Sequence, residues 1–442
     1  HQLSDEPGED DATIKAARFA LTYSGADSYV AEFSYSVLSA DTLYHFDEDW
    51  TYVGIAPGWE YSSRDAYWRD RTDHSLEARW LSNRPLDLFG VTTDWVVGWY
   101  GLQRDEQLRR QFMNWDTGND DWFISDYESQ RQALYGELTQ YLTTAWQLTS
   151  GIRLERYRND YLDSNNIAVQ PRDTMLGGRL SLSYFPADGQ LAYLTWSRGY
   201  KTGGVNAEAL GKAQDNPELE DYLLQRASFA PEYLTSVEVG YKYLNADETL
   251  GLNLALFTQT RDDVQLKSWV NRAQTFIGYI ENAAAGKTRG LEADIRWQWT
   301  PQLAWFGHLG LLDSEIEGFV TEDGLDMEGR DQAHAPRYQA NTGIHWQLSD
   351  TVQATVQVDS KDRFYFSDSH NARSDRHTLL HASVRWQLED WRITLWARNI
   401  TDQDYATRGF YFGNDPRDGY EPNTYVQLGE PRRFGITFNY AM

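Results

Sequence analysis

The chain has 442 residues, with 40 basic against 66 acidic side chains and a net charge of −26. So acidic a balance argues against nucleic acid as a partner, because a phosphate backbone demands a basic surface. There is no cysteine, which removes disulfide frameworks, Cys-ligated metals and thiol nucleophiles from consideration.

Mean hydropathy is −0.65, and no apolar run approaches the ~18 residues of a membrane helix. A β-strand that shows lipid only every second side chain has no such run either. The 18 Trp and 28 Tyr are an excess for a soluble domain and fit two interfacial aromatic girdles. Only seven of the basic residues are lysine, so the cationic groups are mostly planar guanidinium forks. The chain starts at His1 and shows no basic-then-apolar leader, so it is read as processed or incomplete.

In chain order, an acidic stretch at Asp5–Asp11 comes first, as the remnant of a loop. Weak turn signals follow near Gly25-Ala26-Asp27, Arg84-Pro85-Leu86 and Ala145-Trp146. Clear turns are Ala187-Asp188-Gly189, Asn245-Ala246-Asp247, Thr300-Pro301-Gln302, Leu348-Ser349-Asp350 and Leu388-Glu389-Asp390, each carrying turn-forming residues. Between them run period-2 strands. Leu250, Leu252, Leu254 and Leu256 share a face, as do Leu291, Ala293, Ile295, Trp297 and Trp299. The pattern continues through Tyr338–Leu348, Val352–Val358, Leu380–Leu388 and Trp391–Ala397, and ends on Phe434, Ile436, Phe438, Tyr440 and Met442. Polar side chains fill the opposite faces, as a wet lumen requires. The alternate connections are long and polar: 38–72, 104–130, 156–173, 199–233, 259–289, 313–337, 359–378 and 399–423.

Strict alternation of short turns with long loops predicts an all-β fold, an antiparallel transmembrane β-barrel with about 17 strands present. A soluble propeller or β-helix is the bland alternative, and the many long loops argue against it. An odd count leaves an open sheet, whose unpaired edges lipid does not tolerate. Strands upstream of this sequence, or a second chain completing the barrel, are therefore expected.

Four segments carry a family resemblance: WSRGYKTGGVN at 196–206, FAPEYLTSVEVGYKY at 229–243, NAAAGKTRGLEADIRW at 282–297 and WARNITDQDYATRG at 396–409. With Gly429-Glu430-Pro431-Arg432-Arg433 before the last strand, they resemble TonB-dependent outer-membrane receptors. The resemblance is strong from about Thr144 to Met442 and weaker before. It implies that residues 1–442 are the C-terminal part of a receptor barrel of about 22 strands, in the bacterial outer membrane. It also implies a plug domain and a TonB-contacting segment outside this sequence. The terminal Met442 departs from the aromatic residue common at that position. Gly240, Gly290 and Gly307 fall in strands, where glycine commonly marks a bulge or close approach. Asn399 and Asp402 suit side-chain turns.

Candidate cargo contacts lie near the long loops: Arg198, Tyr200, Lys201 and Asn206 at one strand end; Arg330 and His334, with Arg337, in the next group; Tyr365, Phe366 and Arg373, with His370, Arg376 and His377; and Arg408 and Tyr411, with Phe410 and Phe412. Aromatics beside arginines suit a flat anionic ligand such as a ferric siderophore. The bland reading is loop structure or lipopolysaccharide phosphate binding. His370 and His377 lack metal-ligand spacing, the acidic run at Asp116–Asp121 lacks an EF-hand pattern, and no catalytic motif or cofactor signature is present. The expected function is TonB-dependent active import of a scarce nutrient, with the TonB complex, outer-membrane lipid and a ferric siderophore as partners. The alternatives are a plugless porin-like channel or a surface adhesin and, within import, cobalamin, haem or an oligosaccharide as cargo.

Overall fold

The structure, a computed structural model, describes residues 4–213, 216–272, 275–321 and 324–441. Met442 lies outside them. In chain order the strands are β1 (Glu9–Tyr23), β2 (Tyr29–Asp47), β3 (Ser63–Ser82), the short β4 (Leu86–Leu88), β5 (Val91–Asn114), β6 (Asn119–Tyr141) and β7 (Trp146–Asp163). The short β8 (Ala168–Val169), β9 (Arg172–Tyr184), β10 (Gln190–Lys201) and the short β11 (Gly204–Val205) follow. Helices α1 (Ala207–Ala213) and α2 (Glu220–Leu224) lead to the short β12 (Ser228–Phe229), β13 (Glu232–Leu244), β14 (Leu250–Arg272), β15 (Thr275–Thr300) and β16 (Leu303–Glu317). The chain ends with β17 (Tyr338–Ser349), β18 (Val352–Lys361), β19 (His377–Leu388), β20 (Trp391–Arg398), β21 (Ala406–Phe412), β22 (Asn423–Leu428) and β23 (Arg433–Tyr440).

One antiparallel sheet of 19 strands holds the wall, and removing the short β4 and β8 leaves 17 long strands (19 − 2). That agrees with the number expected from turn spacing. Each long strand pairs with its neighbours in sequence. Among the described residues, β1 pairs only with β2 and β23 only with β20. The sheet still curls round far enough for the loop after β2 to meet the connection before β23: the Asn414 amide donates to the Trp50 carbonyl at 3.3 Å, and the Trp50 and Phe412 rings lie 5.5 Å apart.

Burial separates the two faces. On β7, Ile152 and Leu154 are exposed, whereas Glu155, Tyr157, Asn159 and Tyr161 are buried. Outward apolar residues with inward polar ones invert a soluble core, as lipid on the outside requires. The buried apolar clusters sit at the loop end instead. Ala209, Leu219 and Leu223 pack on Val270, Ile277 and Tyr279 at the tips of β14 and β15. Phe319 and Met327 pack on Val264, Leu266 and Ile316.

The eight short connections lie where expected, but several long ones are strand. The segment 104–130 is two strands joined by a four-residue turn at 115–118, and most of 259–289 is the tips of β14 and β15. Beyond the apolar band both faces meet water, so hydrophobic alternation fades while the backbone ladder continues. Gly240 faces its cross-strand partner Tyr193. A Cβ there would approach that ring to 2.1 Å, so glycine makes room for the aromatic side chain. Asn399 is 1% exposed and left-handed at φ 46°. Its side chain donates to the carbonyls of Gln403 and Glu430, while Asp402 accepts from Arg432 N. These two residues clamp the base of the last loop.

Candidate functional site

Above the apolar band, the inward faces of β2, β3, β5 and β6 form a wall rich in Tyr and Arg. Asp65, 3% exposed, accepts two hydrogen bonds from Arg110, Nε at 2.7 Å and Nη2 at 2.6 Å. Tyr67 also donates to Asp65, at 2.8 Å, and the Arg110 guanidinium lies over the Tyr67 and Phe112 rings. This is a bidentate pair with its charge neutralised on site. Lower on the wall, Arg104 and Arg71 share Asp73 at 2.7 and 3.1 Å, and Arg153 grips Glu155 at 2.7 Å.

Helix α1 crosses the interior to this wall. A pocket of about 450 Å³ lies between them, lined by Tyr44, Phe46, Tyr67, Arg69, Arg110 and Phe123 from the wall and by Glu208 and Gly211 from α1. A Cβ on Gly211 would sit 3.1 Å from the Phe123 ring, which fixes how closely the helix can approach. Glu208 has Lys267 at 3.7 Å. The Arg69 side chain makes no ion pair or hydrogen bond among the described residues, so the pocket holds one uncommitted cation among four aromatic rings.

The expected site residues fall into two groups. Arg198 lies over the Tyr233 ring at 4.4 Å. Tyr200 accepts from Arg153 at 3.2 Å and donates to Glu155 at 3.1 Å. Lys201, at the end of β10, is exposed. Asn206 is 6% exposed, and its amide is fully engaged. Its Nδ2 donates to the Arg226 and Ile280 carbonyls, both at 2.7 Å, and its Oδ1 accepts from Ile280 N at 2.8 Å. It staples the helical connection (202–231) to β15.

The second group knits neighbouring loops together. Arg330 donates to the carbonyls of His370 and Ser367 at 2.6 and 2.9 Å and lies 4.5 Å from the Tyr365 ring. Burial pulls its pKa down, against the pull of Asp368. His334 adopts a left-handed backbone, φ 55°. Its N–H donates to the Tyr365 carbonyl at 2.9 Å. The Arg373 guanidinium also lies over the Tyr365 ring, at 6.0 Å, and Phe366 is buried against Gly409. Arg408 covers Phe410 at 4.9 Å, and Tyr411 has His370 beside it at 5.8 Å. No hydrogen bond, ion pair or ring contact joins the two groups among the described residues.

Sequence reasoning missed the pocket wall. Tyr44, Phe46, Tyr67, Arg69, Arg110 and Phe123 fell inside segments read as loops. Their signal was aromatic or arginine residues two apart: Tyr44 and Phe46 on β2, Tyr67 and Arg69 on β3, and Arg110 and Phe112 on β5; Phe123 on β6 had none.

The family model for the TonB dependent receptor-like β-barrel matches residues 2–400. The chain belongs to the TonB-dependent receptor barrel family. Solved structures agree in fold. The ferric yersiniabactin uptake receptor FyuA from Yersinia pestis is 20% identical, with a TM-score of 0.76 over 98% of this chain and 61% of its own. The siderophore receptor PiuA from Acinetobacter baumannii is 13% identical, with a TM-score of 0.74 over 98% of this chain and 64% of its own. The copper transporter OprC is 12% identical, with a TM-score of 0.66 over 98% of this chain and 72% of its own. The chain thus spans less than two thirds of the length of the first two. One architecture serves ferric and copper receptors alike, so fold alone does not choose a cargo.

Proposed function

We propose that this receptor barrel serves TonB-dependent import across the bacterial outer membrane, and that its cargo is an anionic, ring-bearing metal chelate of the ferric-siderophore class. The pocket under α1 carries this reading. Tyr44, Phe46, Tyr67 and Phe123 line it with aromatic side chains, and the Arg69 guanidinium makes no ion pair among the described residues. The Arg110–Asp65 pair adds rigidity and no net charge. Such a surface favours a flat anion through stacking and guanidinium hydrogen bonds. The chemistry is binding and release. The wall and loops hold the chelate, and a plug domain coupled to the TonB complex opens the path.

The test is uptake of radiolabelled ferric chelates by cells carrying the full-length protein as sole receptor. Uptake that stops on loss of TonB or of the proton gradient, and weakens about tenfold in Arg69→Gln, supports the reading. Solute entry that ignores TonB and the gradient favours a passive channel. Normal uptake by Arg69→Gln removes the assignment of cargo to this pocket.

A further inference from the structure

On the outer face of the wall, three arginines meet at the upper margin of the apolar band. The outward positions of β7 run Trp146, Leu148, Ser150, Ile152, Leu154, then Arg156, Arg158 and Asp160. Those of β9 run Tyr184, Leu182, Leu180, Gly178, Leu176, then Thr174 and Arg172. The register sets Leu154 opposite Leu176, Arg156 opposite Thr174 and Arg158 opposite Arg172. From Trp146 to Leu154 the apolar stretch is about 27 Å long at ~3.4 Å per residue. A strand tilt of ~40° leaves roughly 21 Å of height, close to the ~25 Å band of such barrels. The arginines therefore stand at headgroup level, above exposed Ile152, Leu154, Leu176 and Leu180.

Two like charges directly opposite on one face of a sheet repel. Arg158 is offset by Asp160 at 2.9 Å. Arg172 and Arg156 have no ion pair among the described residues, and they are diagonal neighbours, about 7–8 Å apart by strand geometry. Glu128 and Asp160 face each other one pair higher, so cationic character is confined to a narrow step between the apolar band and an acidic rim.

We propose that Arg156, Arg158 and Arg172 form a binding site for the phosphate headgroup of an outer-leaflet lipid, whose acyl chains lie along Ile152, Leu154, Leu176 and Leu180. Guanidinium forks match phosphate oxygens in pairs, and an anion between Arg158 and Arg172 relieves their repulsion. The apolar strip immediately below fixes the occupant as a lipid. The site is independent of the cargo pocket, which faces the interior.

The test uses the full-length protein in neutral detergent. Native mass spectrometry and thermal unfolding are read with three probes: diphosphorylated lipid A, the same lipid with its phosphates removed, and inorganic phosphate. The expected result is tight retention of the phosphorylated lipid, at least fivefold weaker in Arg156→Gln/Arg172→Gln and unchanged in Arg84→Gln at the opposite end of the wall. For the unmodified protein, retention falls as salt rises, which needs no variant to fold. Equal retention by the double variant, or equal retention of the dephosphorylated lipid, overturns the site. A thermal shift with inorganic phosphate matching that of the lipid overturns the lipid assignment.

Discussion

Asn206 offers the sharpest test of whether a polar residue in a receptor loop touches cargo or holds the loop. Replacing it by alanine removes three hydrogen bonds of 2.7–2.8 Å at a position 6% exposed. The Ile280 N–H and the carbonyls of Ile280 and Arg226 lose these partners. At about 0.5–1.5 kcal/mol net for each bond, the connection between β10 and β13 loses about 2–4 kcal/mol of local stability. Backbone amides of α1, and that of Ile280, should then exchange roughly 30- to 1,000-fold faster, while those of β7 and β9 keep their protection. Asn206→Asp retains an acceptor for Ile280 N–H but sets a buried carboxylate oxygen against the two carbonyls that Nδ2 bonds, so its exchange is at least as fast as that of the alanine variant. Because α1 supplies Glu208 and Gly211 to the pocket, cargo affinity weakens in step with exchange. Hydrogen exchange read by mass spectrometry over 205–213 and 277–281 decides the matter. Unchanged exchange together with lost affinity refutes the staple and makes Asn206 a ligand contact.

Three further outcomes follow from the same geometry. Arg330→Lys replaces a fork on two carbonyls and a ring with a point charge. It should destabilise the joined loops at 324–337 and 362–376 by about 1–3 kcal/mol, seen as faster proteolytic nicking near 366–373. Asp65→Asn leaves the Arg110 guanidinium buried without its anion. A loss of about 3–5 kcal/mol is expected, measured as a lower midpoint in urea-driven unfolding from micelles, and a midpoint at the wild-type value would sink it. Asp49, in the loop touching the last loop, is pushed up to about 7 by burial and by its hydrogen bond with Asp47. A raised folded pKa means that its stabilising contribution is complete below pH 3.8 and is lost as pH climbs through about 7. Exchange over 48–62, corrected for its intrinsic pH dependence, should therefore rise between pH 5 and pH 8, and Asp49→Asn should flatten that rise.

Strand number, antiparallel order and the eight short turns were legible in the sequence. In a membrane wall each strand pairs with its chain neighbour, and outward lipid writes a period of two directly into the side chains. The side-chain turn at Asn399 was legible because its partner Gln403 is four residues on, whereas the bonds that clamp Asn399 to Glu430 and Asp402 to Arg432 span 31 and 30 residues and were not. The upper halves of β5, β6, β14 and β15 were not. With water on both faces their hydrophobic alternation disappears, and only the hydrogen-bonded register holds them as strands. Site residues were harder still. Asn206 and Arg330 have the polar chemistry of ligand contacts, yet their partners lie 20 to 74 and 37 to 40 residues away and consume that chemistry. Arg69 became a candidate only when the curled sheet brought α1 across the interior to face it. Local patterning by itself determined the wall, because lipid acts on each strand separately. The tertiary structure alone decided which polar groups remain free to bind, because that depends on partners supplied by distant parts of the chain.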